Sequence, residues 1–182
     1  MTAARIVVGI AGGIAAFKVA STVSKLVQAG HSVDVVLTEN AHQFIGPATF
    51  AALCGRAPVT EIFDARYPLG AHIELAEQAD LLLIAPATAR ILASCAWGLS
   101  DDMLSTLYLT CECQVLMAPA MSSSMWSQPA VARNVDQLKK DGVQMIGPES
   151  GWLSCRKQGE GRMAEAETIL EAISACLKNK SV

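Results

Sequence analysis

The residues of this chain with chemistry to offer are a cysteine among cations, a lone histidine, a run of hydroxyls and a glycine-rich turn. Cys155 lies in Ser154-Cys155-Arg156-Lys157-Gln158-Gly159-Glu160-Gly161-Arg162-Met163. Cations beside a thiol favour its reactivity, and a thiol can act as nucleophile or proton donor. An exposed cysteine with no role fits the same residues. His72 stands at a loop-to-helix junction, Ala71-His72-Ile73-Glu74-Leu75. Imidazole titrates near neutrality and suits a base, but from spacing alone a cap or a packed ring is the stronger reading. In Pro119-Ala120-Met121-Ser122-Ser123-Ser124-Met125-Trp126 a proline turn meets hydroxyls, methionines and a tryptophan. Helix capping accounts for the serines, and core packing for the rest. The glycine turn, Gly9-Ile10-Ala11-Gly12-Gly13-Ile14-Ala15-Ala16-Phe17-Lys18, follows the apolar run Ile6-Val7-Val8. A strand, a glycine turn and a helix start together make an anion cradle, because free N–H groups point outward there.

These residues need a frame to bring them together. Ile6 to Gly9 reads as a short buried strand. Ala16, Val19, Ala20, Val23, Leu26 and Val27 fall on one helical face that Gly30 ends, and His31 to Thr38 is a second, β-branched strand. The spacing predicts a helix over Phe44 to Leu53, a loop over 56–72 and a short helix over Ile73 to Gln78. Asp80 to Ala85 is the most strongly buried strand, followed by a helix to about Trp97 and another over Met103 to Leu109, capped by Ser100 or Asp101. Gln114 to Met117 is a strand, Pro129 to Lys140 a helix, Val143 to Ile146 a last strand, Gly147 to Gly161 a mobile loop and Ala164 to Leu177 a terminal helix. Strands alternating with helices predict a single α/β domain over 1–182, with a doubly wound, mostly parallel sheet and helices on both faces. Thr38, the Pro86 to Ala89 turn and the Pro119 to Ser122 turn should then meet in one crevice beside the glycine turn, at the carboxyl ends of the strands.

The turn reads GxxGG rather than GxGxxG, a weak dinucleotide signal. Thr38 ends the second strand where a ribose-binding acid would stand, so a mononucleotide phosphate is favoured, with a tight turn that binds nothing as the competing reading. The apolar fraction of 52% and charged fraction of 17% describe a globular chain, and fit a subunit that buries surface against its own copies. A net charge of −3 with no basic cluster argues against nucleic acid. The apolar stretch from Ile6 to Phe17 is interrupted by glycines and continues in helical register, so a secretory signal is not expected, and neither is a membrane span. The six cysteines form no CxxC pair and the histidines lie apart from them, so no metal site is expected.

In order and spacing, Gly9 to Lys18, His72 to Leu75, Ala85-Pro86-Ala87-Thr88-Ala89, Pro119 to Trp126 and Cys155 to Met163 resemble the FMN-dependent cysteine decarboxylases. The resemblance covers about residues 5–165 and is nearest to the phosphopantothenoylcysteine decarboxylases of coenzyme A biosynthesis. It implies a flavodoxin-like fold and a cytoplasmic homo-trimer, or an assembly of trimers, with FMN between subunits. Gly12, Gly13, Ile14, Thr38, Thr88, Ala89, Ser105 and Ala120 match its FMN-holding positions; Met121, Ser122, Arg162 and Met163 match its substrate-binding ones. The implied chemistry oxidises a cysteinyl thiol to a thioaldehyde, releases CO₂ to leave an enethiolate, and reduces that to the product thiol. His72 matches the base of the oxidative half. Cys155 matches the proton donor of the reductive half, on a flap over about 150–163. Two departures stand out. Ser122 replaces an asparagine that holds the substrate carboxylate, and Arg156 follows the cysteine where glycine is frequent. Ser122 leaves room for another cysteinyl substrate, such as a peptide C-terminal cysteine, or for a non-catalytic flavin-binding accessory subunit. Cys155 favours the coenzyme A route, because peptide-acting members lack the flap cysteine. The ligase joined to bifunctional bacterial members is expected to lie outside these residues.

Overall fold

A computed structural model describes residues 3–179. Its centre is β1 (Arg5–Ile10), whose side chains alternate between two buried faces. Ile6, Val8 and Ile10 point to one apolar cluster and Val7 to another. A strand buried on both faces must be apolar nearly throughout, as these are. β2 (Ser32–Leu37) and β3 (Leu81–Ala87) pair with it in parallel, one on each side. β4 (Gln114–Pro119) and the short β5 (Gln144–Met145) complete a parallel five-stranded sheet in the order β2-β1-β3-β4-β5.

Helices cover both faces. α1 (Ala16–Gln28), α2 (Pro47–Cys54) and α8 (Ala166–Asn179) pack on the Ile6 side. α3 (Ala71–Gln78), α4 (Ala89–Ala96), α5 (Met103–Thr110) and α7 (Pro129–Lys140) pack on the Val7 side, while α6 (Ser123–Trp126) is a single turn after β4. The chain leaves β1 for β2 on one side and returns as β3 on the other. The loops at these strand ends therefore part and open a crevice, which is where open α/β sheets bind ligands.

The expected doubly wound sheet is what forms, with four local differences. The helix expected over Phe44 to Leu53 begins only at Pro47, as α2, and a 3₁₀ turn at Glu39–Gln43 precedes it. Pro47 lacks an N–H and forces Gly46 to be extended (ψ 147°), so it suits the first position of a helix and not its interior. α3 begins at Ala71, because Gly70 turns at φ 101° and its carbonyl accepts from the N–H groups of Ile73 and Glu74. His72 is thereby in the first turn of a helix. Asp102, rather than Ser100 or Asp101, caps α5: its carboxylate accepts from the Ser105 N–H at 2.8 Å, and the Ser105 hydroxyl accepts from the Asp102 N–H at 3.2 Å. The stretch read as a loop from Gly147 contains an antiparallel ribbon, β6 (Glu149–Trp152) and β7 (Gln158–Arg162).

Candidate active site

The crevice encloses a cavity of about 660 Å³, within the range of small-molecule sites. Its floor is the glycine turn between β1 and α1. The N–H groups of Ala16, Phe17 and Lys18 donate to the carbonyls of Gly13, Ile14 and Ala15. Those of Gly12, Gly13, Ile14 and Ala15 donate to no backbone carbonyl among the described residues. They line the cavity at the start of a 13-residue helix, the arrangement that binds an anion. Gly12 must be glycine because a Cβ there would lie 2.4 Å from Asn40 Cβ and 2.7 Å from its carbonyl carbon. Close approach to the loop after β2, rather than a positive φ, is what excludes a side chain.

The walls are the other strand ends. Thr38 is nearly buried and donates its hydroxyl to the Ile10 carbonyl at 3.4 Å, which ties the β1 and β2 ends together. A register shift in β3 between Ile84 and Ala87 carries Thr88 and Ala89 to the cavity. Ala120 is held by its N–H on the Ala87 carbonyl at 3.1 Å. Ser122 caps nothing with its side chain, contrary to the capping role available to it; its Oγ lies 3.1 Å from Ser124 Oγ. That leaves the hydroxyl at the cavity wall.

The β6–β7 ribbon forms the roof, bringing Trp152, Leu153, Cys155, Arg162 and Met163 to the cavity. Glycines seat it. The Met121 N–H donates to the Gly161 carbonyl at 2.9 Å, and a Cβ on Gly161 would lie 2.4 Å from the Met121 oxygen. A Cβ on Gly159 would meet Ser123 Oγ at 2.3 Å, and that hydroxyl is buried with no hydrogen-bond partner. Beneath the ribbon Glu165 pairs with Lys18 at 3.0 Å and also with Arg162. On the opposite wall Arg90 pairs with Asp101 at 2.9 Å.

Cys155, Met121, Ser122, Arg162 and Met163 thus share one cavity with Gly12, Gly13, Ile14, Thr38, Thr88, Ala89 and Ala120. Ser105 does not reach it. Its fully buried hydroxyl lies 2.9 Å from the Asp102 carboxylate, and Asp102 is the residue that lines the cavity. His72 lies outside the cavity of its own chain; its ring folds back towards Gly70, and Nδ1 is buried without a hydrogen-bond partner. Sequence reasoning missed Asp102 and Trp152. The D-x-x-S spacing of a capping box was available to reveal Asp102; nothing local marked Trp152.

Fold and cavity define a doubly wound α/β protein of the 2-1-3-4-5 strand order, with a cavity at its switch point floored by the glycine turn and the start of α1. The Flavoprotein family profile matches residues 1–178, and the chain belongs to that family. It is 48% identical over 165 residues to the coenzyme A biosynthesis bifunctional protein CoaBC of Mycolicibacterium smegmatis, covering 91% of this chain and 40% of that one. The Bacillus subtilis protein of the same name is 42% identical, covering 95% of this chain and 45% of the relative. The chain therefore spans less than half the length of these curated relatives. Among solved structures, the FMN-dependent cysteine decarboxylase SpaF superposes with a TM-score of 0.86 at 34% identity, over 98% of each chain. A PPC decarboxylase mutant complexed with pantothenoylaminoethenethiol gives 0.85 at 25% identity, over 95% of this chain and 97% of the other.

Proposed function

We propose that this chain is an FMN-dependent carboxy-lyase that converts phosphopantothenoylcysteine to phosphopantetheine in coenzyme A biosynthesis. The carrying observation is the single cavity that joins the glycine turn, Ser122 and the Cys155 ribbon. The kinship with the coenzyme A biosynthesis proteins and with FMN-dependent cysteine decarboxylases supports the same reading. The residues present fit FMN. Gly12, Gly13 and Ile14 offer unbonded N–H groups to a phosphate, and Thr38, Thr88, Ala89 and Ala120 make a largely apolar wall for a flat ring. Ser105 would act through Asp102. When bound, FMN supplies reversible two-electron chemistry, which takes a hydride equivalent from the thiol-bearing carbon and later gives it back.

The protein's own groups do the rest. Met121, Arg162 and Met163 enclose the substrate, and the Ser122 hydroxyl donates to its carboxylate. A hydroxyl offers one donor where an amide offers two, so Ser122 grips a carboxylate more weakly than asparagine would. The ribbon keeps water from the reacting carbons, and the Cys155 thiol gives a proton to the product carbon. Residues 1–182 act as one FMN-binding domain, with about 150–163 as the substrate flap. His72 serves as the base in the cavity of a neighbouring copy within a homo-trimer or an assembly of trimers. Phe63 (93% exposed), Leu69 (70%) and Trp97 (74%) are apolar side chains that such an assembly would cover. No helix among the described residues is long and apolar enough to cross a membrane, and we assign the activity to the cytoplasm.

A second reading follows from Ser122, whose hydroxyl already meets Ser124: decarboxylation of another cysteinyl substrate, or flavin binding without turnover. Two measurements separate these. The purified chain should be yellow, and failure to take up added FMN would sink every version. Incubation with phosphopantothenoylcysteine should lower the substrate mass by that of CO₂; unchanged substrate leaves the second reading. Cys155→Ser should lose CO₂ yet accumulate the enethiol, and full turnover by this variant would remove the proton-donor role.

A further inference from the structure

The tip of the ribbon carries a residue in the wrong backbone conformation for its type. The Arg156 N–H donates to the Leu153 carbonyl at 2.9 Å, and the Leu153 N–H donates to the Lys157 carbonyl at 2.8 Å. This is a tight hairpin loop whose last residue turns left-handed, and Arg156 stands there with φ 61°. It is the one non-glycine residue with positive φ among the described residues. Glycine meets that demand without strain, whereas arginine does not. An observed outlier of this kind beside a site points to a task for the side chain.

The charges around the cavity suggest the task. Lys18 and Arg162 share Glu165, and Arg90 is held by Asp101. The cationic side chains lining the cavity therefore already face carboxylates. Arg156 and Lys157 have no ion pair among the described residues. The acid nearest in sequence, Glu160, is exposed and pairs across the ribbon with Ser150. Arg156 is exposed and follows Cys155, which lines the cavity, so the ribbon tip that carries it stands beside the cavity. A free guanidinium there is a bidentate partner for a phosphate on the solvent end of a bound ligand.

Resting on the proposed function, we propose that Arg156 is a specificity-determining residue that binds the phosphomonoester of the cysteinyl substrate, assisted by Lys157. The chain thereby selects a phosphorylated amide-linked cysteine over its dephosphorylated counterpart and over a peptide C-terminal cysteine. The cysteinyl end sits under Cys155 and Ser122 while the phosphate closes against the ribbon tip.

The test uses the full FMN-loaded chain and the ratio of kcat/KM for phosphopantothenoylcysteine to that for pantothenoylcysteine. Arg156→Gly removes the charge and suits the left-handed turn; Arg156→Gln removes the charge alone; Arg156→Lys keeps it. The ratio should fall about tenfold or more in the Gly and Gln variants and much less in the Lys variant. Retention of the ratio in both Gly and Gln variants overturns the proposal. So does a loss confined to the Gly variant, which would assign the effect to backbone conformation. A tenfold weakening of FMN binding in Arg156→Gly also overturns it, by giving Arg156 to the cofactor phosphate. Calorimetric titration with phosphopantetheine and with pantetheine needs no turnover. A phosphate preference present in the parent chain and lost in both Arg156→Gly and Arg156→Gln upholds Arg156 even if decarboxylation of both substrates fails. Absence of that preference in the parent chain refutes it.

Discussion

Replacing Gly161 by alanine should unseat the ribbon from the cavity. Gly161 adopts φ 128°, outside the range of ordinary L-residues, and a Cβ there would lie 2.4 Å from the Met121 carbonyl oxygen. The obstacle is backbone and cannot rotate away. To stay docked the variant must both strain its backbone and pull away from Met121, losing the Met121 N–H bond to the Gly161 carbonyl, 2.9 Å long. Strain of about 1–3 kcal/mol and a lost hydrogen bond of about 1 kcal/mol sum to about 2–4 kcal/mol against docking. That multiplies the undocked population by roughly 30- to 700-fold. Gly159→Ala is the matched control. Its nearest obstacle, at 2.3 Å, is Ser123 Oγ, the end of a side chain that can change rotamer at a cost below about 1.5 kcal/mol. Amide hydrogen exchange over Gln158–Arg162 reads the difference directly, with β1 and β3 as the unaffected reference. Tryptic cleavage after Arg156 and Lys157 should accelerate in parallel. Exchange in Gly161→Ala within about threefold of the parent chain, or a larger effect from Gly159→Ala, would refute this account of what holds the ribbon down.

Further expectations concern the floor, the wall and the core. Gly12→Ala forces the turn away from Asn40 and should weaken FMN binding about tenfold or more, read from bound-flavin absorbance. Gly13→Ala meets Thr88 Cγ2 at 3.4 Å, an ordinary contact, so its thermal midpoint should stay close to that of the parent; equal behaviour of the two variants would contradict the steric reading. Ser122→Asn should raise decarboxylase activity or leave it as it is, since the amide adds donors for a carboxylate; a clear fall would mean that Ser122 is tuned to a different substrate. Burial pushes the Cys95 thiol up to about 12, with Asp102 adding to it, and burial first of all pushes the Tyr108 phenol up to about 12. Both folded values lie above the ordinary ones of 9.0 and 10.0, so the fold disfavours deprotonation. Their contribution is intact below about pH 9 and lost as pH rises towards 12. Denaturant midpoints at about pH 8 and 10.5 should differ in that sense, and equal midpoints would argue against it.

The alternation of strands and helices was legible because it is a local property. Ile6-Val7-Val8 and Leu81 to Ala85 are apolar without a break, as strands covered on both faces must be, and Val19, Val23 and Leu26 repeat at helical spacing. From that alternation the meeting of Thr38, Thr88, Ala89, Ala120, Met121 and Ser122 beside the glycine turn followed by topology alone. Other features depended on contacts between distant parts of the chain. The 149–162 ribbon has no apolar alternation to announce it; backbone pairing and the fit of Gly159 and Gly161 against Ser123 and Met121 make it. Ser105 carries the right side chain, but the capping box turns its hydroxyl to Asp102, and it is Asp102 that faces the cavity. His72 lies outside the cavity of its own chain, because Gly70 begins the helix early and folds the ring inward. The strain at Arg156 is likewise invisible in its letter, since a residue's φ is set by the hydrogen bonds that close its loop. Residue type and spacing determined which faces were buried and which chemistry was present. Tertiary structure decided which of those groups share a cavity, because backbone approach, capping and loop closure are settled by partners far away in sequence.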